Sequence, residues 1–219
     1  MPKINRYPEM PLHQLWSLAD DCSVILWRID EDEPQLTVSL PLTPSEQTEL
    51  AETTHPVQRI EWLACRRATQ TVVEAQGLAY VGMVKDEYGK PHLNHNGAFV
   101  SISHTHGWAA AALHPTRPIG IDIEPFRQQH LRVVPRVLSV DEINHADGNL
   151  ERLAVYWCAK ESLYKLYGKR QLTFREHLHI EPFDDGAEWL IGHVRLPDYV
   201  AELSIHVLRT GPGLLAVAL

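Results

Sequence analysis

Two carboxylates lie close together in the segment GIDIE, where Asp122 and Glu124 are two residues apart on a predicted strand. Side chains alternate across a strand, so both carboxylates leave one face while Ile121 and Ile123 point into the core. Oxygen-only ligands favour a hard divalent cation, magnesium or manganese, which keeps water and takes substrate phosphates as further ligands. An exposed strand with alternating charge is the alternative explanation.

A second cluster lies in WCAKESLYK, residues 157–165. Trp157, Glu161 and Lys165 are spaced i, i+4 and i+8 and share one face of a predicted helix, with Glu161 and Lys165 in the favourable order for a helix ion pair. A solvated salt bridge would explain the two charges by themselves. The tryptophan on the same stripe favours burial of this face, where charges are costly unless a ligand meets them.

Two shorter motifs contain groups that could meet a phosphate. SISH places Ser103 and His104 at the end of a predicted strand, and YGKP places Lys90 on a tight turn. An ammonium presented on a turn is a suitable phosphate contact. The alternatives are a turn histidine, because the chain has 13 histidines, and a solvated lysine.

Hydrophobic periodicity and capping signals predict an α+β chain. A short helix opened by Ser139, with Glu142 as its capping box, precedes a long helix ended by Gly168. The other predicted elements are helices over 44–50 and 58–76 and strands over 23–29, 78–84, 98–103, 108–113, 119–123, 176–181, 187–194, 201–208 and 213–218.

A shift of 95 residues superimposes the two halves of the sequence, with Trp62 on Trp157 and the strand around Trp27 on the strand around Asp122. This offset predicts two pseudosymmetric α+β halves, 1–117 and 118–219, each with a long helix packed on a small antiparallel sheet. Arg66 then stands where Glu161 stands, which predicts a cation for an anionic ligand. The alternatives are a salt bridge to an acidic neighbour such as Glu61, or simple exposure.

Composition limits the class of protein. The 219 residues are 44% hydrophobic and 22% charged, which excludes a disordered, collagen-like or coiled-coil chain. With 20 basic and 28 acidic residues the net charge is −8, a poor match to nucleic acid. The three cysteines lie far apart and lack C-x-x-C spacing, and no apolar run reaches about 18 residues, which predicts a cytoplasmic protein without a membrane partner. Because the pseudodimer is built into one chain, we expect a monomer.

The motifs YGKP, SISH, GIDIE and W-x-x-K-E-x-x-x-K, in this order over about residues 59–170, resemble the 4'-phosphopantetheinyl transferase superfamily, in particular its larger single-chain pseudodimeric group. The resemblance implies transfer of 4'-phosphopantetheine from coenzyme A to a serine of an apo acyl or peptidyl carrier protein, with release of 3',5'-ADP. It also implies a magnesium ion, with manganese as a substitute.

The resemblance further implies roles for individual residues. Asp122, Glu124 and Glu161 would hold magnesium, and Glu161 or a metal-bound water would take the serine proton. Catalysis would rest on Asp122, Glu161 and Lys165, with Lys165 also binding the phosphates. The expected coenzyme A contacts on the first half are Lys90, Ser103 and His104 and, for the 3'-phosphate, Arg59, Arg66 and Arg67. The stretch before Arg59 lacks the basic cluster of many relatives.

Two other functions fit the same residues. One is a non-catalytic module that binds coenzyme A and carrier proteins, and the other is a metal-dependent phosphoesterase with water as the nucleophile. The sequence does not distinguish a fatty-acid, polyketide or peptide carrier.

Overall fold

The computed structural model describes residues 13–18, 21–94 and 97–219. Contacts divide the chain into two compact units, the first ending at Ile119 and the second running from Gly120 to Leu219. Both combine helices with antiparallel sheets, which confirms the α+β class. Pseudosymmetry of the halves, and their separate roles, stay predictions.

The first unit is built on a four-stranded antiparallel sheet with one long helix on it. The sheet order is β1-β2-β6-β5, and β3 and β4 form a separate hairpin. The strands are β1 (His13–Ser17), β2 (Ser23–Arg28), β3 (Met83–Lys85), β4 (Pro91–Leu93), β5 (Phe99–Thr105) and β6 (Trp108–His114). The helices are α1 (Glu33–Thr37), α2 (Pro44–Glu52) and α3 (Pro56–Ala75).

Apolar spacing explains why α3 lies on this sheet. Leu63, Ala64, Ala68 and Val72 recur at helical spacing and are fully buried. They share one core with residues of β2 and β6. The first unit therefore has its own hydrophobic core between α3 and the sheet.

The second unit contains a five-stranded antiparallel sheet of order β7-β11-β10-β9-β8. The strands are β7 (Gly120–Glu124), β8 (Leu178–Ile180), β9 (Trp189–Leu196), β10 (Tyr199–Thr210) and β11 (Gly213–Ala218). The helices are α4 (His130–Val133), a 3₁₀ turn (Val134–Arg136), α5 (Val140–Ala146), α6 (Leu150–Tyr167) and α7 (Phe174–His177). The long helix α6 packs against β7 and β11.

The predicted capping signals of α5 and α6 are confirmed. Ser139 and Glu142 form a reciprocal capping box at the start of α5. Gly168 ends α6 in the left-handed conformation, at φ 73°, which glycine adopts without steric cost. The capping box thus fixes the start of α5, and Gly168 fixes the end of α6.

The predicted strand over 78–84 is wrong except at its end, because only Met83–Lys85 is extended and paired. Gly82 has φ +88°, and a Cβ there would lie 2.7 Å from Glu46 Oε2, so this segment packs closely on α2 instead of joining the sheet. The prediction over 176–181 is wrong in its first two residues, which end α7, and the strand itself covers Leu178–Ile180. The other short helices, α1 and α4, were not predicted.

None of the helices within residues 13–18, 21–94 and 97–219 is long and apolar enough to cross a membrane. All three cysteines are buried, and none of them forms a disulfide.

Candidate active site

Strand β7 presents two carboxylates on the face that α6 covers. Asp122 pairs with Ala216 and Glu124 with Leu214 on the neighbouring β11. Ile121 and Ile123 point to the opposite face and are buried. The predicted alternation of this strand is therefore observed, and Asp122 itself is only 5% exposed.

Helix α6 lies directly on the backbone of β7 because residue 120 is glycine. A Cβ at Gly120 would collide with the carbonyl oxygen of Ser162 and lie 2.5 Å from the amide nitrogen of Leu166. This close approach places the polar stripe of α6 beside the strand. Lys165 Nζ donates to Asp122 Oδ1 at 2.7 Å, and Trp157 Nε1 donates to Glu124 Oε1 at 3.0 Å.

Glu161 lies one turn before Lys165 on the same stripe. Burial and, to a smaller extent, the Asp122 carboxylate raise the pKa of Glu161 to about 7, while the Lys165 ammonium acts in the opposite direction. The pKa of Glu124 is also raised, first by burial and then by Asp122. Partly buried carboxylates that repel one another in this way favour a proton or a cation between them.

The donor set of Asp122, Glu124 and Glu161 is chemically suited to magnesium. Among the residues that the structure describes, no group of three or more His, Cys, Asp or Glu side chains forms a ready-made metal cage. Magnesium does not require one, because it is usually bound by one or two carboxylates together with water and substrate phosphates. The three carboxylates therefore fit an ion that the substrate helps to bind.

Two profiles of one protein family match the chain. That of the 4'-phosphopantetheinyl transferase superfamily matches residues 118–212, which contain all the carboxylates above. That of the 4'-phosphopantetheinyl transferase N-terminal domain matches residues 46–114. The chain belongs to the 4'-phosphopantetheinyl transferase superfamily. A 4'-phosphopantetheinyl transferase of Bacillus subtilis is 30% identical over 106 residues, which are 46% of this chain and 47% of the relative. The matched region thus spans about half the length of that protein.

In this superfamily member, the three arginines expected at the coenzyme A 3'-phosphate bind internal partners. Arg59 pairs with Glu33 and donates to the carbonyl of Thr53 at 2.9 Å, near the end of α2. Arg67 donates to the carbonyl of Leu36 at 2.7 Å. These two guanidinium groups hold the short helices of the first unit against α3.

Arg66 is the most enclosed of the three, at 3% exposure. Its Nε donates to Glu46 Oε1 at 2.9 Å, Glu49 lies 3.6 Å from Nη2, and the guanidinium stacks 3.0 Å from the centre of the Trp62 ring. This bonding favours the internal salt bridge considered above, with Glu46 rather than Glu61 as the partner. A phosphate contact by Arg59, Arg66 or Arg67 stays a prediction that this geometry does not support.

The remaining predicted contacts of the first unit differ in exposure. Lys90 ends a turn in which its amide donates to Asp86 Oδ1 at 2.9 Å, and burial lowers the pKa of its ammonium to about 8. Ser103 is buried, whereas His104 is half exposed, with Nδ1 3.4 Å from Glu61 Oε2. Of these, His104 is the side chain most open to a ligand.

Sequence reasoning missed two residues around the carboxylates. His130, on α4, is 4% exposed, and its Nε2 lies 3.7 Å from Glu124 Oε2. Lys160, fully buried beside Glu161, donates to Glu142 Oε2 at 2.7 Å and to the carbonyl of Leu178 at 2.8 Å. The motif contains Lys160 directly before Glu161, but its burial was not predicted because a helix lysine next to a glutamate is usually solvated.

Proposed function

We propose that this chain transfers 4'-phosphopantetheine from coenzyme A to a serine of an apo carrier protein and releases 3',5'-ADP, with magnesium as the metal. The observation that carries the proposal is the convergence of β7 and α6, which brings Asp122, Glu124, Glu161 and Lys165 into one polar cluster within the family-matched region.

The reaction joins the serine oxygen to the phosphorus that bears the pantetheine arm and breaks that phosphorus's bond to the bridging oxygen of the pyrophosphate. The serine oxygen attacks a phosphorus that is surrounded by negatively charged oxygens, so catalysis consists mainly of charge neutralisation and positioning. Magnesium held by Asp122, Glu124 and Glu161 would neutralise the pyrophosphate and orient it for attack.

The chain's own side chains supply the proton transfer and part of the charge. In the metal-free chain, burial and the Asp122 carboxylate raise the pKa of Glu161. We assign its carboxylate as the group that accepts the serine proton, because it lies on the same stripe of α6 as Lys165. Lys165, which donates to Asp122, would stabilise the negative charge that develops on the phosphate. On the first unit, His104 is the candidate for binding the coenzyme A phosphates.

The test is incubation of the purified chain with coenzyme A, magnesium and a panel of apo carrier proteins, read by intact mass. We expect a carrier to gain one phosphopantetheine, with an equal amount of 3',5'-ADP and no gain in EDTA. A carrier in which the target serine is alanine is the matched control. Free phosphopantetheine without carrier modification would indicate the phosphoesterase, and binding without any product would indicate the non-catalytic module.

The cellular setting and the assembly state belong to the same proposal. We expect a monomer in the cytoplasm with no nucleic-acid partner. Light scattering of the purified chain and cell fractionation are the corresponding measurements.

A further inference from the structure

Glu124 is approached from two sides by side chains with no part in the chemistry proposed above. The Trp157 indole donates to Oε1 at 3.0 Å, and the His130 imidazole lies 3.7 Å from Oε2. The Glu124 side chain is 22% exposed, so solvent screens the effect of these two neighbours less than it would at the surface. Each carboxylate oxygen therefore has its own nitrogen neighbour.

The indole of Trp157 is itself held in place. Its ring packs against Phe174 with centres 6.2 Å apart, and Tyr164 contacts the same phenylalanine at 5.5 Å. The backbone of Phe174 is fixed in turn, because Lys160 Nζ donates to its carbonyl at 3.2 Å. Trp157 thus presents its N–H from a rigid aromatic stack.

The imidazole of His130 is oriented by what surrounds it. Within the described part of the chain its Nδ1 is buried and has no hydrogen-bond partner. In a neutral imidazole one nitrogen carries the proton, and buried N–H groups without an acceptor are rarer in proteins than buried acceptors without a donor. The proton therefore belongs on Nε2, which faces Glu124 and reaches hydrogen-bond distance with a small side-chain shift.

We propose that His130 and Trp157 are positioning residues that fix the Glu124 carboxylate from both sides and so set the affinity of the chain for its divalent metal ion. Neither residue touches substrate or the reacting atoms. Groups that hydrogen-bond a metal ligand fix its orientation, and losing one typically weakens metal binding 10- to 100-fold. The inference rests on the proposed function in one respect, that Glu124 is a metal ligand.

The test measures metal binding without turnover. Mn²⁺ is titrated into the chain with coenzyme A and no carrier protein, and the free ion is read from its electron paramagnetic resonance signal. The first variant is Trp157→Phe, which keeps the ring stack and removes the N–H. The other two are His130→Leu, which removes the imidazole, and His130→Gln, which restores an N–H donor. The control is Trp189→Phe, a ring substitution at a half-exposed site of the same unit.

We expect Trp157→Phe to weaken Mn²⁺ binding about 10-fold, His130→Leu to weaken it less, and His130→Gln to recover part of the loss. If Trp157→Phe and His130→Leu both bind Mn²⁺ as tightly as the control Trp189→Phe does, the positioning role is overturned. The proposed function is not affected by that result. Equal Mn²⁺ uptake by the unmutated chain and Asp122→Ala would overturn the metal site itself. If His130→Leu does not fold, Trp157→Phe decides the question.

Discussion

The two units each contain a buried ion pair between a short helix and the long helix that follows it. In the first unit Glu46 of α2 pairs with Arg66 of α3 at 2.9 Å, with both side chains 3% exposed. In the second unit Glu142 of α5 pairs with Lys160 of α6 at 2.7 Å, with exposures of 1% and 0%. Both glutamates also close the capping box of their own helix.

The units differ at the strand that lies under the long helix. Where β7 carries Asp122, the 95-residue offset places Trp27 of β2, which is 4% exposed and packs in the core with Leu63. Where α6 carries Glu161, the same offset places Arg66 on α3, already neutralised by Glu46. The paired charges therefore hold the scaffold in both units, and the carboxylates proposed to bind the metal lie on β7 and α6 of the second unit.

Asp122→Ala removes the carboxylate that β7 carries where the 95-residue offset places Trp27 on β2. We expect loss of transfer with an intact fold, because one of few magnesium ligands is lost and the pyrophosphate charge is no longer offset. Circular dichroism and the rate of carrier labelling are the measurements. A near-normal rate at low millimolar magnesium would place Asp122 outside the site.

Glu161→Gln tests the position at which the two long helices differ, Glu161 on α6 and Arg66 on α3. The amide keeps the shape and one oxygen but cannot take a proton, so we expect a loss in kcat of about 10² or more. Affinity for coenzyme A, measured by calorimetry without carrier, should fall much less. A collapse of that affinity with a normal rate at saturation would mean that Glu161 serves binding only.

Sequence patterns fixed some of these positions and not others, for a physical reason. The period of a strand places Asp122 and Glu124 on one face, and the period of a helix aligns Trp157 with Glu161 and Lys165. The partner of Lys165 was harder to predict from the sequence. The favourable i, i+4 order indicates Glu161, whereas the ammonium donates to Asp122, which lies on a strand 43 residues earlier in the chain. Contacts across the fold depend on how closely the helix lies on the strand.

The arginines of α3 show the same limit. Their charges suggested an anionic ligand, and the sequence carried no signal that Arg59 would meet Glu33, 26 residues away, or that Arg66 would meet Glu46, 20 residues away. Pairs this distant along the chain form only because short helices fold back on the long helix. Residue type alone therefore does not separate a structural cation from a phosphate-binding one.

Lys160→Met tests whether the second unit depends on its buried pair. The substitution leaves the Glu142 carboxylate buried without its cation, so we expect a loss of about 3–5 kcal/mol in the free energy of unfolding, measured by urea denaturation. Glu142→Gln added to Lys160→Met should restore part of the loss, because the remaining charge is gone. Lys169→Met, at an exposed position just after α6, is the control, and an equal effect there would contradict the assignment.

Arg66→Met makes the matching test in the first unit and decides between the two roles of that arginine. As a structural cation, Arg66 should stabilise the fold by about 3 kcal/mol, toward the lower end of the range for broken buried pairs, because Glu49 is 33% exposed and keeps access to water. The KM for coenzyme A should then stay unchanged, since the guanidinium is already bound by Glu46 and by the Trp62 ring.

The control is Arg28→Met, the same substitution in the same unit at an arginine whose pair with Asp30 is 43% and 47% exposed. Such exposed pairs contribute about 0–1 kcal/mol, so the melting temperature of this variant should hardly change. If Arg66→Met instead raised the KM severalfold at an unchanged melting temperature, and dephospho-coenzyme A abolished the difference, the arginine would be a 3'-phosphate contact. The two units would then differ in their use of the buried pair as well as in their carboxylates.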